Sequence, residues 1–285
     1  MKELLKKLST IKTTEEFKRL YHGRGEEEFK FLTIDSIGDI LFIQFFEENE
    51  YENEILTLSK NLFSHKTIIV KKRYSNETFA IKGEIPKTAY AIENGFKFKL
   101  NFLNQNIGFF GDMKHGREFI KSISKDKKIL NLFSYTCGFS LYAKSGGAKF
   151  IANVDMSKSA LATGMANHQI NDLEVKNVAF WPYNILKAFP KLKKQATYDI
   201  IIIDPPSYQK GSFIASKDYI KIIKKLPQLS HKNTTLLACI NSPKFTKEEL
   251  IEMIEQNTDF KYEKSIPPAK EYKNSTLKNL VFNHI

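Results

Sequence analysis

The rhythm of apolar and polar positions changes partway along the chain. From residue 127 onward, short unbroken apolar runs alternate with longer stretches of helical periodicity. The runs at 129–133, 149–155, 176–181, 199–203 and 235–240 predict strands buried on both faces, and the segments 139–145, 158–170, 184–193 and 217–229 between them predict helices. Strict alternation of this kind is what a doubly wound parallel sheet requires. A helix at 246–256 and strands at 260–266 and 277–284 close the chain, making seven strands with the last two a hairpin-like pair.

Upstream the pattern is different. Leu4, Leu5, Leu8, Ile11, Phe17 and Leu20 predict one or two short amphipathic helices, with Thr13 or Thr14 capping the second. Two β-runs within 29–46 flank Ser36-Ile37-Gly38-Asp39, and two more within 88–102 flank Asn94-Gly95, both hairpin signals. A helix at 51–63 and a strand at 66–74 lie between them. Residues 1–105 therefore read as a small α+β module held by antiparallel pairing, followed by an α/β domain over 106–285. Asp112 sits where a helix over 113–124 would begin, so its most economical role is an N-cap. His115 and His168 fall on what read as helix surfaces.

Composition narrows the class. The chain has 285 residues and is 42% hydrophobic, enough for one large domain or a core with an appended module. No apolar run approaches the roughly 18 residues of a membrane span, and the charged N-terminal stretch is unlike a signal peptide. Two cysteines, Cys137 and Cys239, are too few for a disulfide framework or a thiolate zinc site, which favours a reducing, cytoplasmic setting. The net charge of +12 is unevenly spread. Residues 1–118 carry 19 basic and 18 acidic residues, net +1, whereas residues 119–285 carry 25 and 14, net +11. A polyanionic partner would meet the second half, while a Lys-rich composition with solvated charged faces accounts for the excess equally well.

Chemistry concentrates in residues 127–155 and 198–211. The turn Ser134-Tyr135-Thr136-Cys137-Gly138 follows the first apolar run without the G-x-G-x-x-G spacing of dinucleotide folds, so it suits a cofactor with no pyrophosphate. Asp155, closing the next strand, is placed to accept both hydroxyls of a ribose diol, or alternatively to cap the helix starting near Ser157. The fourth run ends abruptly in Asp204-Pro205-Pro206-Ser207-Tyr208, a rigid loop at the end of a parallel strand where such folds place their chemistry. There Asp204 offers a base or acceptor, the prolines present backbone carbonyls to a planar amine or base, and Tyr208 supplies a stacking face. Cys239 lies near the end of the fifth run, where a thiolate could attack a pyrimidine ring, yet its apolar neighbours also suit a small buried residue. The six histidines show no metal or triad spacing.

NLFSYTCGFSLYAKSGGA, VDMSKSAL, YDIIIIDPPSY and the upstream GFFGD resemble class I S-adenosylmethionine-dependent methyltransferases, specifically bacterial large-subunit ribosomal RNA methyltransferases. The resemblance covers residues 106–241 strongly and the N-terminal module more weakly. It implies a Rossmann-like seven-stranded methyltransferase sheet over 106–285, with 1–105 as a module for RNA or substrate recognition. It also implies a cofactor site of Phe110, Asp112, Lys114, Asn131, Phe133, Ser134, Tyr135, Thr136, Gly138, Asp155, Met156, Ser157, Asn184 and Asp204. Catalysis would fall to Asp204, Pro205, Pro206 and Ser207, joined by Cys239 if the acceptor is cytosine C5, with no metal. Three positions depart from the family pattern: Cys137 stands where a second glycine is common, Met113 and Lys114 replace Gln and Arg, and Asn184 stands where an acid often meets the adenine amine. The expected function is methyl transfer from S-adenosylmethionine to a base of RNA, ribosomal RNA above all. The alternatives are a cofactor- and RNA-binding protein that has lost catalysis, and a methyltransferase of proteins or small molecules.

Overall fold

The computed structural model describes residues 1–209, 213–243 and 245–285. Lys210 and Gly211, at the end of the 198–211 stretch, lie outside the described residues. The chain divides into two compact units, Met1–Asp112 with Ala269–Ser275, and Met113–Pro268 with Thr276–Ile285. The first unit therefore runs past residue 105 to Asp112 and takes in a short segment from near the end of the chain.

That unit contains α1 (Lys2–Thr10), β1 (Lys18–His22), β2 (Leu32–Ile37), β3 (Ile40–Phe45), α2 (Glu52–Leu62), β4 (Thr67–Lys72), β5 (Glu77–Lys82), β6 (Ala89–Glu93) and β7 (Phe96–Leu100). Its sheet has the order β1-β2-β3-β4-β5, and β6 and β7 form a separate hairpin. Both hairpin turns lie where glycine marks them. Ile37 faces Ile40 across Gly38 (φ +51°), while Glu93 faces Phe96 across Asn94 (φ +51°) and Gly95 (φ +80°), the two positive φ values of a type I′ turn.

Two expectations for this unit need correction, and one strand falls outside them. Residues 18–22 are a strand and not a second helix, because pairing with β2 buries Leu20 beside Leu32 and Ile34 and joins Arg19 to the buried Asp35 carboxylate. Tertiary burial here overrides a weak helical pattern. The pairing is also not all antiparallel, since β3 and β4 run parallel through an α2 crossover. Strand β5 went unread because its half-exposed positions lack a clean alternation.

In the second unit follow α3 (Lys114–Ile123), β8 (Lys128–Leu132), α4 (Gly138–Ser145), β9 (Phe150–Val154), α5 (Lys158–Gln169), β10 (Val178–Trp181), α6 (Ile185–Lys194), β11 (Ile200–Ile203), the short strands β12 (Tyr208–Gln209) and β13 (Phe213–Ile214), α7 (Ala215–Ile223), β14 (Thr235–Asn241), α8 (Lys247–Glu255), β15 (Phe260–Ser265) and β16 (Leu277–His284). The seven-stranded sheet has the order β10-β9-β8-β11-β14-β16-β15. The first five strands are parallel, and β16 inserts antiparallel between β14 and β15.

Both faces of this sheet are covered, as the unbroken apolar runs require. Leu130, Leu132, Ile201, Ile203 and Leu236 point into one core with Ala188, Ile222 and Ile254 from α6, α7 and α8. Their neighbours Ile129, Ile200, Ile202 and Leu237 point into the other with Ile120, Phe139 and Ala143 from α3 and α4. Each buried Leu, Ile or Phe among them contributes about 1.5–3 kcal/mol of burial. Helix α8 starts on a full capping box between Thr246 and Glu249. By contrast Asp112 does not cap α3: Met113 holds the N-cap position without a side-chain bond, and Asp112 lies in the preceding turn under the field of Arg19. Among the described residues no helix is long and apolar enough to cross a membrane.

Candidate active site

Strand β8 is where the winding reverses: the chain proceeds outward to β9 and β10 on one side and to β11 and β14 on the other. At such a switch point the loops diverge and leave a crevice at the carboxyl ends of the strands. Leu132 and Ile203 pair at the last positions of β8 and β11, and the Asp204 amide donates to the Leu132 carbonyl (3.4 Å). The Ser134–Gly138 turn and the DPPSY loop thus leave adjacent strands side by side.

The turn is held in an unusual backbone. Phe133, Tyr135 and Cys137 have φ of +58°, +46° and +62°, and none is glycine. A left-handed residue of this kind costs about 1–2 kcal/mol, so three persist only because their surroundings dictate the path. The Ser134 amide donates to Val154 (3.1 Å), the Tyr135 amide to Asp155 Oδ2 (2.9 Å) and the Cys137 amide to the Ser134 carbonyl (2.7 Å). Asn167 Nδ2 on α5 donates to the Thr136 carbonyl (3.1 Å), and the Phe133 ring meets Phe213 edge-on at 4.8 Å.

Cys137 is accommodated by an absence on the facing helix. Its side chain is fully buried, and a Cβ on Gly164 of α5 would lie 2.4 Å from its Sγ and 2.8 Å from its Cβ. Burial pushes the thiol pKa well above its ordinary value. Gly164 and Asn167 were not read from the sequence as site residues, although their i, i+3 spacing puts both on one face of α5.

One residue past β9, Asp155 accepts from the Ser157 amide through Oδ1 (2.8 Å) and from Tyr135 through Oδ2. Burial raises its pKa, and these two amides oppose the rise. The capping of α5 belongs to Ser157, whose Oγ accepts from the Ala160 amide (3.2 Å). Each Asp155 oxygen keeps a second acceptor direction, the requirement for binding a vicinal diol. Met156 beside it is 42% exposed, an apolar face next to the carboxylate. Past β10, Asn184 sits at the N-cap of α6 without capping it, and its Oδ1 is buried with no hydrogen-bond partner. A buried acceptor left unpaired is costly, and a bound amine donor would relieve it.

Beyond β11, Pro205 is buried while Pro206, Ser207 and Tyr208 face outward, Tyr208 at 63% exposure. Ser207 is an anchor: its Oγ donates to the Asn241 carbonyl (2.7 Å), and its own carbonyl accepts from Ala215 (3.1 Å). Asn241 Oδ1 in turn accepts from the Thr276 hydroxyl (2.6 Å). The loop is therefore pinned to the end of β14 while the Tyr208 ring stays available for stacking.

Other residues lie elsewhere. Asn131 belongs to a buried polar chain in which Asn131 Nδ2 donates to Asn153 (2.9 Å), Asn153 Nδ2 to Ser140 (3.0 Å), and Ser140 contacts His168 Nε2 at 3.0 Å. His168 is fully buried and not on a helix surface, and its Nδ1 lies 2.8 Å from the Gly164 carbonyl. That carbonyl can only accept, so Nδ1 carries the proton and Ser140 donates to Nε2. Burial pushes the His168 pKa down. Cys239 is also fully buried, in the core with Ile129, Ile151 and Ile200, the surroundings of a small core residue. Phe110 and Asp112 fall in the first unit, where Gly111 between them packs so closely on Phe17 and Tyr272 that a Cβ would meet Tyr272 Oη at 2.3 Å. Lys114 opens α3 in the second unit.

Taken by strand, the second unit presents a left-handed turn at β8, a carboxylate at β9, an orphaned acceptor at β10 and a rigid DPPSY loop at β11. This is the edge of a doubly wound α/β domain with the polar groups a nucleoside cofactor would meet. The family model for S-adenosylmethionine-dependent methyltransferases matches residues 18–272. The chain belongs to that family. It is 32% identical over 193 residues to ribosomal RNA large subunit methyltransferase I of Aeromonas salmonicida, an alignment covering 63% of this chain and 49% of the relative. The chain spans about half the length of the curated relatives it matches. Among solved structures, a candidate SAM-dependent methyltransferase from Streptococcus mutans superposes with a TM-score of 0.89 at 24% identity, covering 99% of this chain and 81% of that one. A candidate methyltransferase crystallised with SAH gives 0.87 at 26% identity, with 99% and 78% covered.

Proposed function

We propose that this protein transfers the methyl group of S-adenosylmethionine to a base of RNA, with ribosomal RNA as the substrate. The observation that carries the reading is the juxtaposition at the β8–β11 switch point. There a strained turn backed by Asp155 adjoins a DPPSY loop with an exposed aromatic ring. In this reading Asp155 takes the ribose hydroxyls, and Met156 and Asn184 the adenine. The orphaned Asn184 Oδ1 supports the fit, because an adenine amine would supply its missing donor. Bound there, the cofactor supplies a methyl group on a positively charged sulfur, already activated toward a nucleophile. The chain's own part is to orient the acceptor on Tyr208 and exclude water, because catalysis of such a transfer is mostly positioning.

The RNA substrate is supported by the +11 excess in residues 119–285 and by the names of the curated relatives. Cys137 does not speak for a decayed site, since Gly164 makes room for it. The test is a mass-spectrometric comparison of modified nucleosides in ribosomal RNA from wild-type and deletion cells. Loss of one methylated nucleoside on deletion is the expected result; identical profiles would remove ribosomal RNA as the substrate. A phosphate-contacting protein also loses RNA affinity steeply as salt rises, and a protein or small-molecule methyltransferase shows little such dependence.

A further inference from the structure

Taking the RNA-base reading as given, we infer that the atom methylated is a nitrogen of the base and not a pyrimidine C5 carbon. A C5 carbon is not nucleophilic by itself; it becomes so only after a thiolate adds to C6. This chain has two cysteines, and both are fully buried. Cys239 sits inside the sheet with Ile129, Ile151, Ile200, Ile202, Leu237 and Val281, and the Tyr219 hydroxyl closes on its carbonyl (3.2 Å). Cys137 packs so closely on Gly164 of α5 that an added Cβ there would lie 2.4 Å from its Sγ.

The residue that β14 brings to the site is Asn241, two positions beyond Cys239 and on the same side of the strand. It is exposed, but its side chain is an amide held by Thr276, and an amide does not add to a pyrimidine ring. Among the described residues, the elements around the acceptor position offer no thiolate. They offer instead what a nitrogen needs: an exposed ring for stacking in Tyr208 and a carboxylate in Asp204.

The step balances without any further reactant. The nitrogen lone pair forms the N–C bond as the C–S bond breaks, its electron pair passing to sulfur and leaving a neutral thioether. For an amine acceptor, the surplus proton goes to the Asp204 carboxylate or to solvent.

The test supplies the full chain with S-adenosylmethionine bearing a deuterated methyl group and with ribosomal RNA from deletion cells. Nucleoside mass spectrometry should place the label on an N-methylated base. Label in 5-methylcytidine or 5-methyluridine overturns the inference while sparing the RNA reading. No label in any nucleoside overturns the RNA reading and the inference with it. Two further measurements test the thiol directly. Cys239→Ala should keep its turnover, whereas removing a true nucleophile costs on the order of 10³-fold or more. Should that variant fail to fold, wild-type protein mixed with RNA containing 5-fluorocytidine decides the matter. Unchanged electrophoretic mobility is expected, and a covalent protein–RNA adduct contradicts the proposal.

Discussion

Replacing Gly164 by alanine tests whether α5 shapes the cofactor turn. The new Cβ would stand 2.4 Å from Cys137 Sγ, 2.8 Å from Cys137 Cβ and 3.3 Å from the Thr136 carbonyl carbon. Comfortable carbon contacts need about 3.5–4.0 Å, so the turn or the helix must move by about an ångström. Cys137 cannot swing away, being fully buried with its amide fixed to Ser134. Overpacking of this kind costs typically about 1–3 kcal/mol, and the clash at two atoms puts it toward the upper end. Alanine recovers about 1 kcal/mol of helix propensity. The net loss should be about 1–2 kcal/mol, read as a lowered urea midpoint. Cofactor affinity should fall more than stability, because the displaced atoms include the Thr136 peptide. The double variant Gly164→Ala with Cys137→Gly should recover both properties, giving a coupling of about 1–3 kcal/mol in a double-mutant cycle. A Gly164→Ala protein as stable and as competent in binding as wild type, or a double variant no better than the single, would refute the reasoning.

Further outcomes follow from the same geometry. Asp155→Asn should weaken S-adenosylmethionine binding by about tenfold to a hundredfold in calorimetry, the worth of one or two charge-assisted hydrogen bonds. Because burial raises the Asp155 pKa, wild-type cofactor affinity should decline as pH falls through that raised value, and the Asn variant should lose this dependence. The fold responds in the opposite sense: Asp155 favours the folded state in acid and loses that contribution as pH rises from the usual carboxylate value of about 3.9. Asn167→Ala deletes the bond to the Thr136 carbonyl and should raise the cofactor KM with kcat little changed, a split that steady-state kinetics separates. Burial, aided by the charge of Lys144, keeps His168 neutral in the folded state, so its contribution is full above about pH 6.5 and lost as pH falls below it. His168→Asn should therefore show a smaller drop in urea midpoint between neutral and mildly acidic pH than wild type does.

The sequence made the second unit legible because its strands are buried on both faces and read as plain apolar runs such as Ile200–Ile203. Its candidate site elements were equally visible, since Asp155 and DPPSY mark the ends of two of those runs. What escaped was information held between distant segments. Gly164 matters only because Cys137 faces it, and His168 looks like a surface residue until Ser140 and Gly164 close around it. Local pattern also misled at residues 18–22, where apolar spacing suited a helix and the Arg19–Asp35 pair with β2 decided for a strand. Cys239 could be read as nucleophile or core residue because the sequence shows that it is near a strand end, whereas only burial shows that its thiol does not reach the site.

Titrating S-adenosylmethionine into the wild-type protein and into Asp155→Ala by calorimetry tests the central claim most directly. One site per chain, with a dissociation constant on the order of micromolar to tens of micromolar and lost in the variant, is what the account predicts. No heat of binding at high micromolar cofactor, or equal binding by both proteins, would contradict it.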